Sequence, residues 1–239
     1  MKMWAIVRAL GPIDAVSIRR DPMLKWLAVY PLFLCLLIRW GVPILKAYLM
    51  ERFQFDLVPY YPLLMSCVIL MTPMLAGIVI GFLLLDQRDD QTLTALQVTP
   101  LTLSGYFAYR IAVPTILSLV ITIVAFPVTA LTKLGFLELV GAGLSSCLLA
   151  PLYALFLGTF AGNKVQGFAI TKGLGVLLVP PLIAYFVPPP WQFAFGIDPL
   201  YWPAKFLWGI TAGAPGAWMH LLAGMLFQAI LLQVLLRRA

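Results

Sequence analysis

The greatest concentration of charge in this sequence follows directly after a long uncharged apolar run. That run extends from Leu57 to Leu85, and the residues after it are Asp86, Gln87, Arg88, Asp89 and Asp90. Three carboxylates so close together could bind a metal ion or a phosphate group, but such a site needs further ligands. None follows within sequence reach, so we predict neither a metal site nor a catalytic site here.

Signatures of enzymatic chemistry are also absent elsewhere. No GxSxG, HExxH, CxxC or GxxxxGK[ST] pattern occurs, so the chain has no nucleotide-binding P-loop of its own. His220 is the single histidine, and Cys35, Cys67 and Cys147 lie singly inside apolar segments. We predict packing roles for these four side chains, no cofactor in this chain and no enzymatic activity.

The composition is that of a membrane protein. Hydrophobic residues make up 62% and charged residues 10% of the chain, and the mean hydropathy is +0.99, whereas about 25% of residues are charged in soluble domains. The net charge of +7 could indicate nucleic-acid binding. The basic residues, however, lie beside apolar segments, as in positive-inside topology, so we expect no nucleic-acid partner.

Six segments are long enough to cross a bilayer as helices, which takes about 20 apolar residues. They are residues 26–46, 60–85, 110–131, 139–161, 171–188 and 217–236. With both termini cytoplasmic, eleven of the 16 Lys and Arg residues fall inside and five outside, in agreement with an even number of spans. Arg39 interrupts the first span, and we expect it to reach the outer interface in preference to facing protein.

The N-terminal residues 1–25 mix apolar and basic side chains. This pattern predicts an amphipathic helix in the cytoplasmic interface, with a merely basic tail as the alternative. We expect a possible break at Gly11-Pro12 and an end at Asp21-Pro22. The predicted interfacial residues are Trp4, Ile6, Arg8, Leu10 and Ile13.

Residues 188–216, before the last span, are rich in proline and aromatic side chains. Interior prolines remove helix hydrogen bonds, so we predict that this segment does not cross the membrane. Aromatic residues at this density are typical of a lipid headgroup boundary. We therefore predict either short helices on the outer surface or a re-entrant hairpin.

Residues 86–100 join the charged residues to an apolar helical face formed by Leu93 and Leu96, and the segment ends at Thr99-Pro100. We predict a short helix whose start is capped by the Asp86–Asp90 carboxylates, because negative charge is favourable at a helix N-terminus. Such a helix could insert into a groove of a soluble partner. An ordinary solvated loop is the alternative.

The run from Leu84 to Arg110 resembles the signature of ABC-2 type permeases, in which the second span is followed by E-R-[ED]-x-G-T-L…[ST]-P. Two positions depart from that signature, since Gln87 stands where Glu is usual and Gln91 where Gly is usual. Within that family the chain is most similar to permease subunits of fluoroquinolone-type drug exporters. The matching residues are Arg88, Asp89, Thr92, Leu93 and Pro100.

The resemblance implies a single all-α transmembrane domain over residues 1–239, forming half of an exporter. A P-loop ATPase that carries ATP and Mg²⁺ would contact residues 86–100. A second permease would complete the pathway, and Gln87 and Gln91 favour a paralogue over a second copy. The residues expected to couple to the ATPase are Asp86, Gln87, Arg88, Asp89, Asp90, Thr92, Leu93, Leu96 and Pro100.

The expected function is ATP-driven export of a hydrophobic or amphipathic compound, drug-like or lipid-like, across a prokaryotic plasma membrane. A path without buried charge suits such a cargo. The alternative is a non-transporting subunit that anchors or regulates a membrane assembly.

Overall fold

The computed structural model describes residues 3–89 and 103–238. Within these ranges the chain forms eleven α-helices and two 3₁₀ turns, Val58–Tyr60 and Phe193–Ile197. The helices are α1 (Met3–Arg20), α2 (Pro22–Phe53), α3 (Tyr61–Asp89), α4 (Leu103–Val128), α5 (Phe136–Cys147), α6 (Leu149–Phe160), α7 (Lys164–Val176), α8 (Val179–Ala184), α9 (Pro189–Gln192), α10 (Tyr201–Thr211) and α11 (Ala217–Leu236).

Six helical segments of the described chain are long and apolar enough to cross a membrane. They are Pro22–Phe53, Val58–Asp89, Gly105–Val128, Phe136–Phe160, Lys164–Ala184 and Ala217–Leu236. The predicted all-α fold with six spans is therefore confirmed. The fourth and fifth spans each contain two helices, and α8 begins with Val179-Pro180-Pro181, where the first turn of a helix tolerates proline.

Successive spans run in opposite directions, so the bundle has a basal end, which carries α1 and the end of α11, and an apical end. At the basal end, Lys164 contacts both Asp21 and Asp86, and Arg238 shares a cavity with the end of α3. At the apical end, the Tyr185 hydroxyl donates to the Pro59 carbonyl oxygen at 2.7 Å.

The centre of the bundle is α3, which packs along α6 with almost no space between the two backbones. Gly77 faces the carbonyl oxygen of Ala150, and Gly81 faces the side chain of Leu157. Small residues allow such close approach, and close packing drives helix association where surrounding lipid is as apolar as the helices. The outer helices α2, α4, α7 and α11 turn much of their apolar surface away from this core.

The segment before the last span is a re-entrant hairpin. Its returning helix α10 lies antiparallel to α11: Gly209 contacts Ala217, Phe206 packs edge-on against Trp218, and Trp202 packs on Gly224. The turn that precedes α10 contacts α11 closer to the C-terminal end of that helix. The expectation of a broken segment is confirmed, and of the two predicted forms the structure has the hairpin.

The hairpin tip, residues 198–200, reaches the middle of the last span. Gln228, the twelfth residue of the 20-residue helix α11, donates from Nε2 to the carbonyl oxygens of Pro199 at 3.3 Å and Ser145 at 3.1 Å. These bonds satisfy backbone acceptors at a depth where no water is available.

One local expectation is wrong, since α1 continues unbroken through Gly11-Pro12. Arg39 is exposed and donates from Nη1 to the Val128 carbonyl oxygen at 3.0 Å, at the last residue of α4, which lies at the apical end. The final carbonyls of a helix lack intrahelical donors and carry partial negative charge, which is why the guanidinium is attracted there.

The α3–α6 contact generates a prediction about Gly77. In Gly77→Ala the added Cβ would overlap the Ala150 carbonyl oxygen, so we expect a loss of about 1–3 kcal/mol of stability. Gly173→Ala on α7 is the matched control, since no atom lies within 4 Å of its added Cβ. Thermal unfolding of the purified protein in detergent measures both; equal stability of the two variants would contradict this packing.

Candidate functional site: a buried polar network at the basal end

One face of α1 carries the first component of the network. Ile6, Leu10 and Asp14 are spaced four residues apart, which places them on the same side of a helix. Ile6 and Leu10 are buried against Tyr106 and Tyr109 of α4. The same packing carries the Asp14 carboxylate into the bundle, where the residue is 5% exposed.

The Asp14 carboxylate pairs with Arg110 of α4 through two parallel bonds. Nη1 of Arg110 lies 2.8 Å from Oδ2 and Nη2 lies 3.1 Å from Oδ1, and Arg110 is 1% exposed. The Tyr109 hydroxyl donates to Oδ2 at 2.9 Å. Bidentate charge-assisted bonds of this kind are among the strongest in proteins.

Gln87, near the end of α3, completes the network. Its Oε1 accepts from the Tyr106 hydroxyl at 2.7 Å and from Arg110 Nη2 at 2.6 Å, and its Nε2 donates to Asp14 Oδ1 at 3.4 Å. The guanidinium carbon of Arg110 lies 5.2 Å and 5.4 Å from the ring centres of Tyr106 and Tyr109, within cation–π range. The network thus joins α1, α3 and α4.

A second, more exposed contact ties the same end together. Nζ of Lys164, at the start of α7, lies 3.0 Å from Asp21 and 2.8 Å from Asp86. Asp21 also caps α2 by accepting from the N–H groups of Met23 and Leu24. Burial alone would raise the pKa of Asp21, but the hydrogen bonds from Lys164 and from these two N–H groups together lower it below its usual value.

Four residues of the predicted coupling segment belong to α3. Asp86, Gln87, Arg88 and Asp89 are the last residues of that helix, so the two carboxylates lie near the negative end of its dipole. The short helix predicted to follow them falls outside the described residues. The ion pair with Lys164 offsets the unfavourable interaction of Asp86 with the dipole, whereas Asp89 is exposed to solvent. Arg88 donates to the Ala161 carbonyl oxygen at 3.4 Å. The remaining predicted coupling residues, Asp90, Thr92, Leu93, Leu96 and Pro100, lie outside the described residues.

The five predicted interfacial residues of α1 divide into two groups. Trp4, Arg8 and Ile13 are exposed and available to a membrane surface. Ile6 and Leu10 are buried in the protein, so the expectation that they meet the membrane interface is wrong. The apolar face of α1 therefore serves tertiary packing as well as any contact with lipid.

Sequence reasoning assigned no site role to Asp14 or Arg110, although both carried a signal. Asp14 continues the apolar Ile6–Leu10 face, where a lone carboxylate needs a partner. Arg110 stands four residues after Tyr106 near the start of a span, and sequence reasoning counted it only towards topology and the family signature.

A third buried charge lies at the hairpin tip. Asp198 is 6% exposed; its Oδ1 accepts from the Leu200 N–H at 2.9 Å, and its Oδ2 has no hydrogen-bond partner among the described residues.

These features define a multi-pass membrane permease, with six apolar spans, a polar basal end and a hairpin that enters the bundle from the apical end. The chain belongs to the family described as Fluoroquinolones export permease protein Rv2686c-like, whose profile matches residues 14–236. It is 34% identical over 234 residues to the fluoroquinolones export permease protein Rv2686c of Mycobacterium tuberculosis strain H37Rv, covering 96% of this chain and 92% of that relative.

The fluoroquinolones export permease protein MT2760 of Mycobacterium tuberculosis strain CDC 1551 matches with the same identity and coverage. No solved structure matches the chain. The family thus fixes the class, a permease subunit of an export system, and the structure adds the polar contacts that hold its basal end together.

Breaking a buried ion pair of this network should lower the stability of the protein far more than breaking an exposed pair. Arg110→Met leaves Asp14 buried without its counter-charge, so we expect the free energy of unfolding to fall by about 3–5 kcal/mol. Lys164→Met, whose pairs are partly exposed, should cost about 1 kcal/mol or less. The double variant Asp14→Leu/Arg110→Met should be more stable than Arg110→Met. Denaturant unfolding in detergent tests this order, and a Lys164 variant as unstable as the Arg110 variant would refute it.

Proposed function

We propose that this chain is the membrane-spanning subunit of an ATP-driven exporter of the ABC-2 type, and that it moves a fluoroquinolone-like amphipathic compound out of the cell. Membership of the export permease family supports the class of cargo. The observation that carries the mechanism is the basal network, because it joins α1, α3 and α4 at the end of the bundle where a soluble ATPase would bind.

The basal end is the cytoplasmic end in this proposal. It carries Arg19, Arg20, Arg237 and Arg238, in line with the preference of Lys and Arg for the cytoplasmic side. Residues 86–100 then meet the ATPase, which binds ATP and Mg²⁺. Asp89 is the best placed of the described coupling residues, since it is exposed at the end of α3.

Movement of residues 86–100 would be transmitted directly into the bundle. Gln87 stands just before the segment between α3 and α4, and Tyr106 and Arg110 stand just after it; all three hydrogen-bond within one network. A push on this segment by the ATPase would therefore displace α1 and the inner ends of two spans together. The second permease subunit would undergo the matching movement.

A paralogue remains our preferred second permease, but one of the two residues that favoured it no longer does so. Gln87, one of the two departures from the family signature, bonds inwards to Tyr106 and Arg110, so it no longer supports the choice. The departure at Gln91, outside the described residues, is what still favours a paralogue over a second copy. Purification of the tagged chain co-expressed with its ATPase decides this, since an active complex with two copies would exclude the paralogue.

The deciding experiment is reconstitution of the chain, its ATPase and any second permease into liposomes. We expect fluoroquinolone to stimulate ATP hydrolysis and to accumulate in inside-out vesicles when ATP is present. A non-transporting anchor or regulator would show neither effect, although the complex would still assemble.

Coupling through Asp89 is tested in the same vesicles. In Asp89→Asn we expect the transport obtained per ATP hydrolysed to fall by up to about fivefold, because an exposed ion pair contributes about 0.2–1 kcal/mol. Asp56→Asn is the matched control, an exposed carboxylate near the apical end. Equal coupling in both variants would remove Asp89 from the ATPase contact.

The topology is tested by cysteine labelling. In a variant with Cys35, Cys67 and Cys147 replaced by alanine, Arg8→Cys should react with an impermeant maleimide in inverted vesicles and not in intact cells. Asp56→Cys should show the reverse pattern. Labelling of position 8 from outside would invert the proposed orientation.

A further inference from the structure

The hairpin tip places an unpaired carboxyl oxygen deep inside the bundle. Among the described residues, no Lys, Arg or His forms an ion pair with Asp198, and its Oδ2 has no hydrogen-bond partner. A buried carboxylate without compensation is costly. An ionisable residue at membrane depth with no structural partner points to a functional one.

Two other unpaired polar groups lie beside it. Gln228 is fully buried and uses its Nε2 on the Pro199 and Ser145 carbonyls, but its Oε1 has no partner. The Tyr153 hydroxyl on α6 also lacks a partner, and this side chain lies close enough to Asp198 to interact with it electrostatically. The three groups therefore offer two unused acceptors and one hydroxyl.

An apolar cavity of about 280 Å³ adjoins these groups. α6, α7, α11 and the hairpin tip form its wall, with Tyr153 and Pro199 joining the cavity to the polar groups. Phe156, Leu174 and Leu231 are among the other lining residues. Its volume is close to the lower end of the range for small-molecule sites, about 300–1,000 Å³.

We propose that this cavity and the Asp198–Gln228 pair form a subsite for an amphipathic cation, with the apolar body in the cavity and a protonated amine at Asp198 Oδ2 and Gln228 Oε1. This inference rests on the proposed export function, and it identifies the Asp198–Gln228 pair as a determinant of which compounds are exported. A protonated amine carries several N–H donors and no acceptor, so it supplies what the two oxygens lack.

Binding in this subsite requires the hairpin tip to shift. Asp198 Oδ2 and Gln228 Oε1 have no accessible surface in this conformation, so the amine reaches them when residues 198–200 separate from α6. The substrate would thereby act on the same hairpin that closes the apical half of the bundle.

The charge of Asp198 can be removed without losing its local structural role. Oδ1 of Asp198 accepts from the N–H of Leu200, two residues on, and the amide oxygen of Asn can do the same. Asp56 makes the equivalent bond to the N–H of Val58 but is exposed. Asp198→Asn and Asp56→Asn are therefore a matched pair that differs in burial and in proximity to the cavity.

The probes are a fluoroquinolone with a secondary piperazine amine and its N-acetyl derivative, which lacks the positive charge. We measure their equilibrium binding to the purified complex and their ATP-driven uptake into inside-out vesicles. Wild-type protein should bind the amine more tightly, and Asp198→Asn should weaken amine binding about tenfold or more while leaving the N-acetyl compound unchanged. Asp56→Asn should change the binding of neither compound.

Three results would overturn the subsite: equal wild-type affinities for the two probes, equal weakening of both by Asp198→Asn, or no weakening of either. The wild-type comparison decides the matter even if Asp198→Asn does not accumulate. Amine-selective binding without ATP-driven uptake would instead refute the proposed export function and leave the subsite standing.

Discussion

A charged pair removed from water must be satisfied entirely by protein, and the Asp14–Arg110 pair meets this requirement by drawing three helices together. Asp14 lies on α1, Arg110 on α4, and Gln87 of α3 bonds to both. Removing either charge leaves the other buried without compensation, which strongly favours the paired arrangement. The two ends of the segment between α3 and α4 are consequently held by the same hydrogen bonds that fix α1.

The apical half of the molecule follows a different constraint, that backbone groups at membrane depth must be paired inside the protein. The hairpin satisfies it with a side chain of α11, since Gln228 bonds to the Pro199 carbonyl. Between the two polar regions, α3 and α6 pack through Gly77 and Gly81 with little room for adjustment. The central helix pair thus lies between a polar basal network and a hairpin that packs along α11.

Hydropathy was sufficient to predict the six spans, because membrane insertion depends on each segment's own composition. It failed where the outcome depended on contacts between segments. The apolar run ends at Leu85, yet α3 continues to Asp89, so hydropathy alone placed the end of this helix too early. Asp14 and Arg110 stand 96 positions apart, and no local pattern pairs them. The depth of the hairpin likewise depends on Gly224 and Gln228 of a later helix.

That last dependence has a consequence for how the chain is made. Translation proceeds from the N-terminus, so the hairpin is synthesised before α11 exists to receive it. Until the final span enters the bilayer, the Pro199 carbonyl lacks its Gln228 donor, and Trp202 lacks the Gly224 surface on which it packs. The full set of contacts that hold the hairpin at its native depth can therefore form only after α11 has been made. Docking of the hairpin on α11 would then be the step that completes the apical half of the molecule.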